Sequence, residues 1–184
     1  MRILLVYATV EGHTRKVCNH IKATLEGGGH QVVVIDASDE TALPDPDTID
    51  AVIAAAPVHT GTFPVSLRRL LKRQHEQLMA RPGAFISISL SAAGSDEDDM
   101  AEIVKITGDM GEETGWWPVA VHHAAGALKY TEYDFFRRWA LRRIAFQNDG
   151  PTDTDRDYEF TDWVALDTFV TGFVKEAPKL AGKI

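Results

Sequence analysis

A short apolar run, Ile3-Leu4-Leu5-Val6-Tyr7, gives way to Ala8-Thr9-Val10-Glu11-Gly12-His13-Thr14, and an amphipathic helix pattern starts at once. A buried strand that turns directly into a helix leaves few choices of fold. The first N–H groups of the helix lack helical partners and converge on one spot, where the helix dipole favours negative charge. Thr9 and Thr14 bracket the turn with hydroxyls, and Gly12 removes the side chain at its tightest point. The turn reads as a phosphate cradle made of neutral donors.

Other phosphate loops fit less well. A Walker loop closes on Lys-Ser or Lys-Thr, and this turn closes on His13-Thr14. A dinucleotide fingerprint needs three glycines, and only Gly12 is present in the turn. A receiver domain needs an aspartate at the end of its third strand, which here reads Ala55-Ala56-Pro57. The cradle is read as the phosphate site of flavin mononucleotide (FMN). On this motif alone, an ordinary strand-to-helix turn capped by Thr9 stays open.

Strand and helix patterns then alternate. Val32-Val33-Val34-Ile35 is the second strand, preceded by the helix stop Gly27-Gly28-Gly29 with room for a left-handed cap. The third strand covers residues 51–56, the fourth 84–90 and the fifth 117–122, with helices expected over 64–79, 99–114 and 162–175. Near-continuous apolar strands separated by helices indicate a parallel sheet buried on both faces. The expected fold is α/β: a doubly wound, five-stranded parallel sheet in the order 2-1-3-4-5, with an insertion at residues 125–160 after strand five. One domain is expected to span residues 1–184, a usual single-domain length.

In such a sheet the ligand sits beyond the carboxyl ends of the strands. The cradle, residues 9–14, meets two further loops there: Pro57-Val58-His59-Thr60-Gly61 running on to Phe63, and Ser89-Leu90-Ser91-Ala92-Ala93. The Thr-x-x-Gly-x-Thr run at residues 9–14 resembles the phosphate loop of the flavodoxin superfamily. That resemblance implies that the second and third loops hold the isoalloxazine ring. His59 or Phe63 would flank the ring; Phe63 as a core residue and His59 as a solvent-facing one remain the alternatives. No tryptophan stands in these loops, which leaves room on the ring for a substrate and favours an enzyme over a carrier.

The insertion discriminates further. Ala125-Gly126-Ala127-Leu128-Lys129-Tyr130, a basic-aromatic helix pattern, Asp153-Thr154 and Phe160-Thr161-Asp162-Trp163, in this order, resemble the menaquinone-dependent protoporphyrinogen oxidase family. The resemblance implies an FMN enzyme of heme biosynthesis that oxidises protoporphyrinogen IX to protoporphyrin IX and passes electrons to a membrane quinone. A porphyrinogen offers a wide apolar face and two propionates, which arginine forks match. Phe135, Phe136, Trp139, Leu141 and Ile144 would supply apolar area, and Lys129, Tyr130, Arg137, Arg138 and Arg142 the substrate or membrane contacts. The alternative is that the aromatics pack the insertion onto the sheet and the arginines solvate it. Glu132 and Asp134 depart from the more basic segment of the family.

The remaining features exclude more than they assign. A net charge of −8 argues against nucleic acid as a partner. The acidic stretches at residues 36–50 and 95–99 read as solvated loops and a helix N-terminus. No run approaches the roughly 20 apolar residues that span a bilayer, and residues 1–14 show no signal-peptide cleavage pattern. The lone cysteine, Cys18, reads as a small core residue and suits a reducing cytosol. The expectation is a cytoplasmic enzyme in peripheral contact with the inner face of the cell membrane, its oligomeric state open. Metal binding has no support in ligand spacing. No catalytic residue is assigned, since the flavin would carry the chemistry and the protein would supply position and polarity. A different FMN quinone reductase and a flavodoxin-type electron carrier are the competing functions.

Overall fold

The computed structural model describes residues 1–39, 43–93, 97–128 and 158–181. Five strands form one parallel sheet in the order β2-β1-β3-β4-β5: β1 Arg2–Tyr7, β2 Gln31–Asp36, β3 Ala51–Pro57, β4 Gly83–Ser89 and β5 Ala120–Ala125. This is the expected order. Helices α1 (His13–Gly27) and α4 (Trp163–Ala181) cover one face, and α2 (Val65–Met79) and α3 (Glu97–Thr114) the other.

The alternation of a strand decides which core each side chain joins. In β1, Ile3, Leu5 and Tyr7 pack beneath α1 and α4, while Leu4 and Val6 pack beneath α2 and α3. Both faces of β1, β3 and β4 are buried, which is why their sequences run apolar without a polar phase. Cys18 is fully buried in the α1 core, and burial pushes its thiol far up from the ordinary value, so it is an inert core residue. Gly29, at φ +83°, takes the left-handed position expected of the glycine stop. Glu97, Asp98 and Asp99 form the first turn of α3, where carboxylates suit the helix dipole.

Two elements differ from the sequence reading. Strand β5 begins at Ala120 rather than residue 117. Trp116 is wholly buried against Gly83, where a Cβ would come within 2.9 Å of its ring, and Trp117 lies over Gly111 in the same manner. Pro118 has no N–H to donate, so pairing resumes when Val119 N donates to Gly83 O at 2.8 Å. The tryptophans are therefore packing residues that join α3 to the sheet. The last helix continues past residue 175 to Ala181 and carries Pro178 within it.

One pairing was not anticipated. Beyond β5 the chain forms a short strand β6, Ala127–Leu128, which pairs antiparallel with β7, Tyr158–Glu159. The two ends of the insertion thus meet at its base. Lys129, Tyr130, Arg137, Arg138 and Arg142 lie outside the described residues.

Candidate flavin site

The three anticipated loops meet at the carboxyl edge of the sheet around a small open cleft of about 70 Å³. From the first loop come Thr9, Val10, Glu11, His13 and Thr14; from the second Pro57, Val58 and His59; from the third Ser89 and Leu90. Sequence reasoning missed Ile88, Gly126 and Ala127, which complete the wall. Ile88 reads as part of the fourth strand, and Gly126 and Ala127 belong to a motif that carries the family resemblance without a site role of its own.

The first loop has the backbone that a cradle requires. Gly12 sits at φ +85°, a left-handed conformation that L side chains seldom adopt, and it precedes the first turn of α1. No side chain caps that helix end and no acidic residue stands in its first turn. Thr9 Oγ1 accepts from Gly12 N at 2.9 Å, so its hydroxyl braces the turn from within. Thr14 is buried and His13 half-buried, whereas Val10 is exposed. An uncapped helix start behind a left-handed glycine suits a phosphate monoester, and the adjoining apolar wall of Pro57, Val58, Ile88 and Leu90 suits a flat ring. FMN has both parts, and the residues present fit it. Glu11 is the departure from a neutral cradle, placing a carboxylate in the lining.

The second loop closes in a tight reversal. His59 N donates to Thr62 O at 2.8 Å and Thr62 N to His59 O at 3.2 Å, while Thr60 and Gly61 both hold positive φ, 49° and 76°. Thr60 and Gly61 are exposed at the tip and do not line the cleft; His59 does. Phe63 settles as a core residue, 1% exposed and edge-on to Phe85 with ring centroids 4.9 Å apart. In the third loop Ser89 Oγ accepts from Ala92 N at 3.1 Å and shapes the turn Ser91–Ala93. Ala92 and Ala93 face a neighbouring cleft instead.

The Phe160-Thr161-Asp162-Trp163 motif acquires a physical meaning here. Phe160 N donates to Gly126 O at 3.0 Å. Thr161 donates its hydroxyl to Ala125 O at 2.9 Å, so the same oxygen accepts from His13 Nε2 at 3.0 Å. Asp162 caps α4 by accepting from Ala165 N at 2.9 Å. Trp163 lies against His20 of α1, ring centroids 4.5 Å apart, with Lys16 Nζ over its face at 5.4 Å. Glu159 ties these together, accepting from Lys16 Nζ at 2.5 Å and from Trp163 Nε1 at 3.0 Å. Burial raises the Glu159 carboxyl, but Lys16, His13 and Trp163 together outweigh it and hold the group below its usual range. The four residues and Glu159 bind the base of the insertion to the first turns of α1.

The fold and the loop cluster are those of a flavodoxin-like domain. The chain belongs to the flavodoxin domain family, whose pattern matches residues 4–155. Among solved structures, it resembles oxidised flavodoxin 2 from Bacillus cereus, with a TM-score of 0.56 at 16% identity, covering 96% of this chain and 99% of that one. More particular are two curated relatives, both named protoporphyrinogen IX dehydrogenase (quinone). The Leishmania major protein is 30% identical over 94% of this chain and 74% of its own length. The Escherichia coli K12 protein is 25% identical over 100% of this chain and 98% of its own.

Proposed function

We propose that the protein binds FMN in the phosphate-loop cleft and oxidises protoporphyrinogen IX to protoporphyrin IX, with a quinone as electron acceptor. The observation that carries this reading is the Thr161 bridge. The motif that separates this chain from a minimal flavodoxin is joined through His13 to the very turn that would hold the phosphate. The names of the curated relatives support the same assignment.

The chain supplies position rather than a dedicated acid or base. The first turn of α1 and residues 9–14 would hold the phosphate. Residues 57–61 and 89–93 would frame the ring, those nearest the cleft being Pro57, Val58, His59, Ser89 and Leu90. Held there, FMN would supply two-electron redox chemistry between substrate and acceptor. The wall of Ile88, Leu90 and Ala127 would limit water around a bound ring. Lys129, Tyr130, Arg137, Arg138 and Arg142 are the residues proposed to meet propionates or lipid. A lipid-dissolved quinone implies peripheral contact with the inner membrane face, with the acidic net charge of −8 keeping that contact weak on anionic lipid. Among the described residues no helix is long and apolar enough to cross a membrane.

The test is anaerobic. FMN-loaded protein is mixed with protoporphyrinogen IX, and flavin absorbance is followed before and after a menaquinone analogue is added. Bleaching, then quinone-dependent recovery with porphyrin fluorescence, is expected. Flavin that stays oxidised with this substrate, yet bleaches with NADH or NADPH, would move the assignment to another FMN quinone reductase.

A further inference from the structure

A second cleft of about 360 Å³ opens where β5 meets the turn Ser91–Ala93. It wraps round the rim of the sheet. β5 is the edge strand, and His122 and His123, adjacent in it and so on opposite faces, both line the cleft. Ala92, Ala93, Phe160 and Asp162 supply the remaining walls that matter. The two clefts are neighbours. The third loop gives Leu90 to the flavin cleft and Ala92 to this one, and the strand end gives Gly126 to the former and Ala125 to the latter.

Polar atoms here are left over from folding. His123 Nδ1 is buried with no hydrogen-bond partner, and so is Oγ of Ser87, a residue 0% exposed. Ser87 and His123 are register mates across β4 and β5, so their side chains leave the same face of the sheet. Buried polar atoms without partners are uncommon in folded proteins, and each asks for a reason beyond folding. With Nδ1 buried, Nε2 is the His123 nitrogen left to a ligand. His122 is held flat against Phe169, ring centroids 5.0 Å apart at 22°. Burial lowers the affinity of both imidazoles for a proton, the effect on His122 being partly offset by Asp162. Each neutral ring offers one N–H donor.

Charge selects the ligand class. Among the described residues the lining holds no lysine or arginine and does hold the Asp162 carboxylate. Among the described residues a porphyrinogen propionate would meet an anion and no cation. An uncharged flat ring bearing carbonyl oxygens would meet alanine methyls, the Phe160 ring and two imidazole donors. We infer that this edge cleft binds the head group of the quinone acceptor, with His122 and His123 donating to its carbonyl oxygens. The inference rests on the quinone-coupled reading above. The balance closes without another reactant: in each of three rounds one quinone gains two electrons and two protons to become a hydroquinone, and the porphyrinogen loses the same, the third round completing the porphyrin. Both histidines stay neutral and act by position.

The experiment separates this cleft from the functional reading by leaving out the porphyrinogen. FMN-loaded protein is reduced with stoichiometric dithionite and mixed anaerobically with menadione in a stopped-flow instrument. His123→Leu is expected to raise the half-saturating menadione concentration at least tenfold with FMN affinity unchanged. His123→Gln, which restores a donor near the Nε2 position, is expected to recover most of the loss. On oxidised, FMN-loaded wild-type protein, menadione is expected to shift the Cε1–H NMR signals of His122 and His123. Unmoved histidine signals, or a His123→Leu variant that saturates like wild type, overturn the inference. Slower bleaching by protoporphyrinogen IX in His123→Leu, with menadione saturation unchanged, overturns it too and gives the cleft to the substrate. If menadione reoxidises wild-type flavin normally and protoporphyrinogen IX never bleaches it, the porphyrinogen reading falls while the cleft stands.

Discussion

Thr60 holds a backbone angle that β-branched side chains avoid, φ +49°, at the exposed tip of the loop beside the flavin cleft. The left-handed conformation costs an ordinary L residue roughly 1–2 kcal/mol, and asparagine tolerates it better because its short polar side chain bonds locally. Gly61 next to it, at φ +76°, meets the same demand without a Cβ. Nothing that Thr60 touches offsets its strain, since its side chain is exposed and makes none of the turn's hydrogen bonds. Thr60→Asn is therefore expected to stabilise the protein by about 1 kcal/mol. The check is the urea midpoint at constant m-value, and an unchanged or lower midpoint would show that the threonine is accommodated. Gly12 is the opposite case. Its angle was legible in the sequence as the tightest point of the cradle, because only glycine sits there without cost.

At the scale of elements, the joint between α1 and the start of α4 carries most of what the sequence could not convey. The five strands and their order followed from apolar runs separated by helical periods, a signal that lies within each segment. The displaced start of β5 shows where that signal stops. Trp117 reads as the start of that strand, yet its ring and that of Trp116 are drawn off into gaps above Gly111 and Gly83, and only three-dimensional packing reveals such gaps. The candidate site divides likewise. The three loops were legible from topology, since strand ends in a doubly wound sheet must converge. The bridge from Thr161 to His13 spans 148 positions along the chain and leaves no local trace. Its worth can be measured. Thr161→Val removes the hydroxyl that joins Ala125 O to His13 Nε2, taking one hydrogen bond from each in a part-buried place. A loss of about 1 kcal/mol per lost bond is expected. Thr161→Ser keeps the hydroxyl and should recover most of it. In the valine variant FMN affinity should fall by more than in an equally destabilised α3 variant. Equal affinities would reduce the bridge to a packing contact.

For the whole molecule, the edge of the sheet sets how stability responds to acid. His122 and His123 are half-buried, and burial holds both below the ordinary imidazole value of 6.5. For His123 the neighbouring His122 adds to that depression, whereas Asp162 opposes it for His122. A depressed folded pKa means that the unfolded chain binds protons that the folded one refuses. The stability held above pH 6.5 is therefore lost as pH falls through that value toward the folded pKa of each ring. Glu159 adds a second loss in more acid solution. Its folded pKa also lies below the ordinary value, so the stability gained from Lys16 is present above 4.5 and disappears as pH drops past it. Urea midpoints measured from pH 8 to about pH 2 should thus fall in two stages. The double variant His122→Phe, His123→Phe is expected to flatten the upper stage alone, and Lys16→Met to lessen the lower, to which Glu176 beside Lys179 also contributes. The midpoint above pH 7 is not the discriminating quantity, because either variant also changes packing there. The slope is. An upper stage that persists in the phenylalanine variant would place its origin in another titrating group and leave the edge histidines without a part in the acid response.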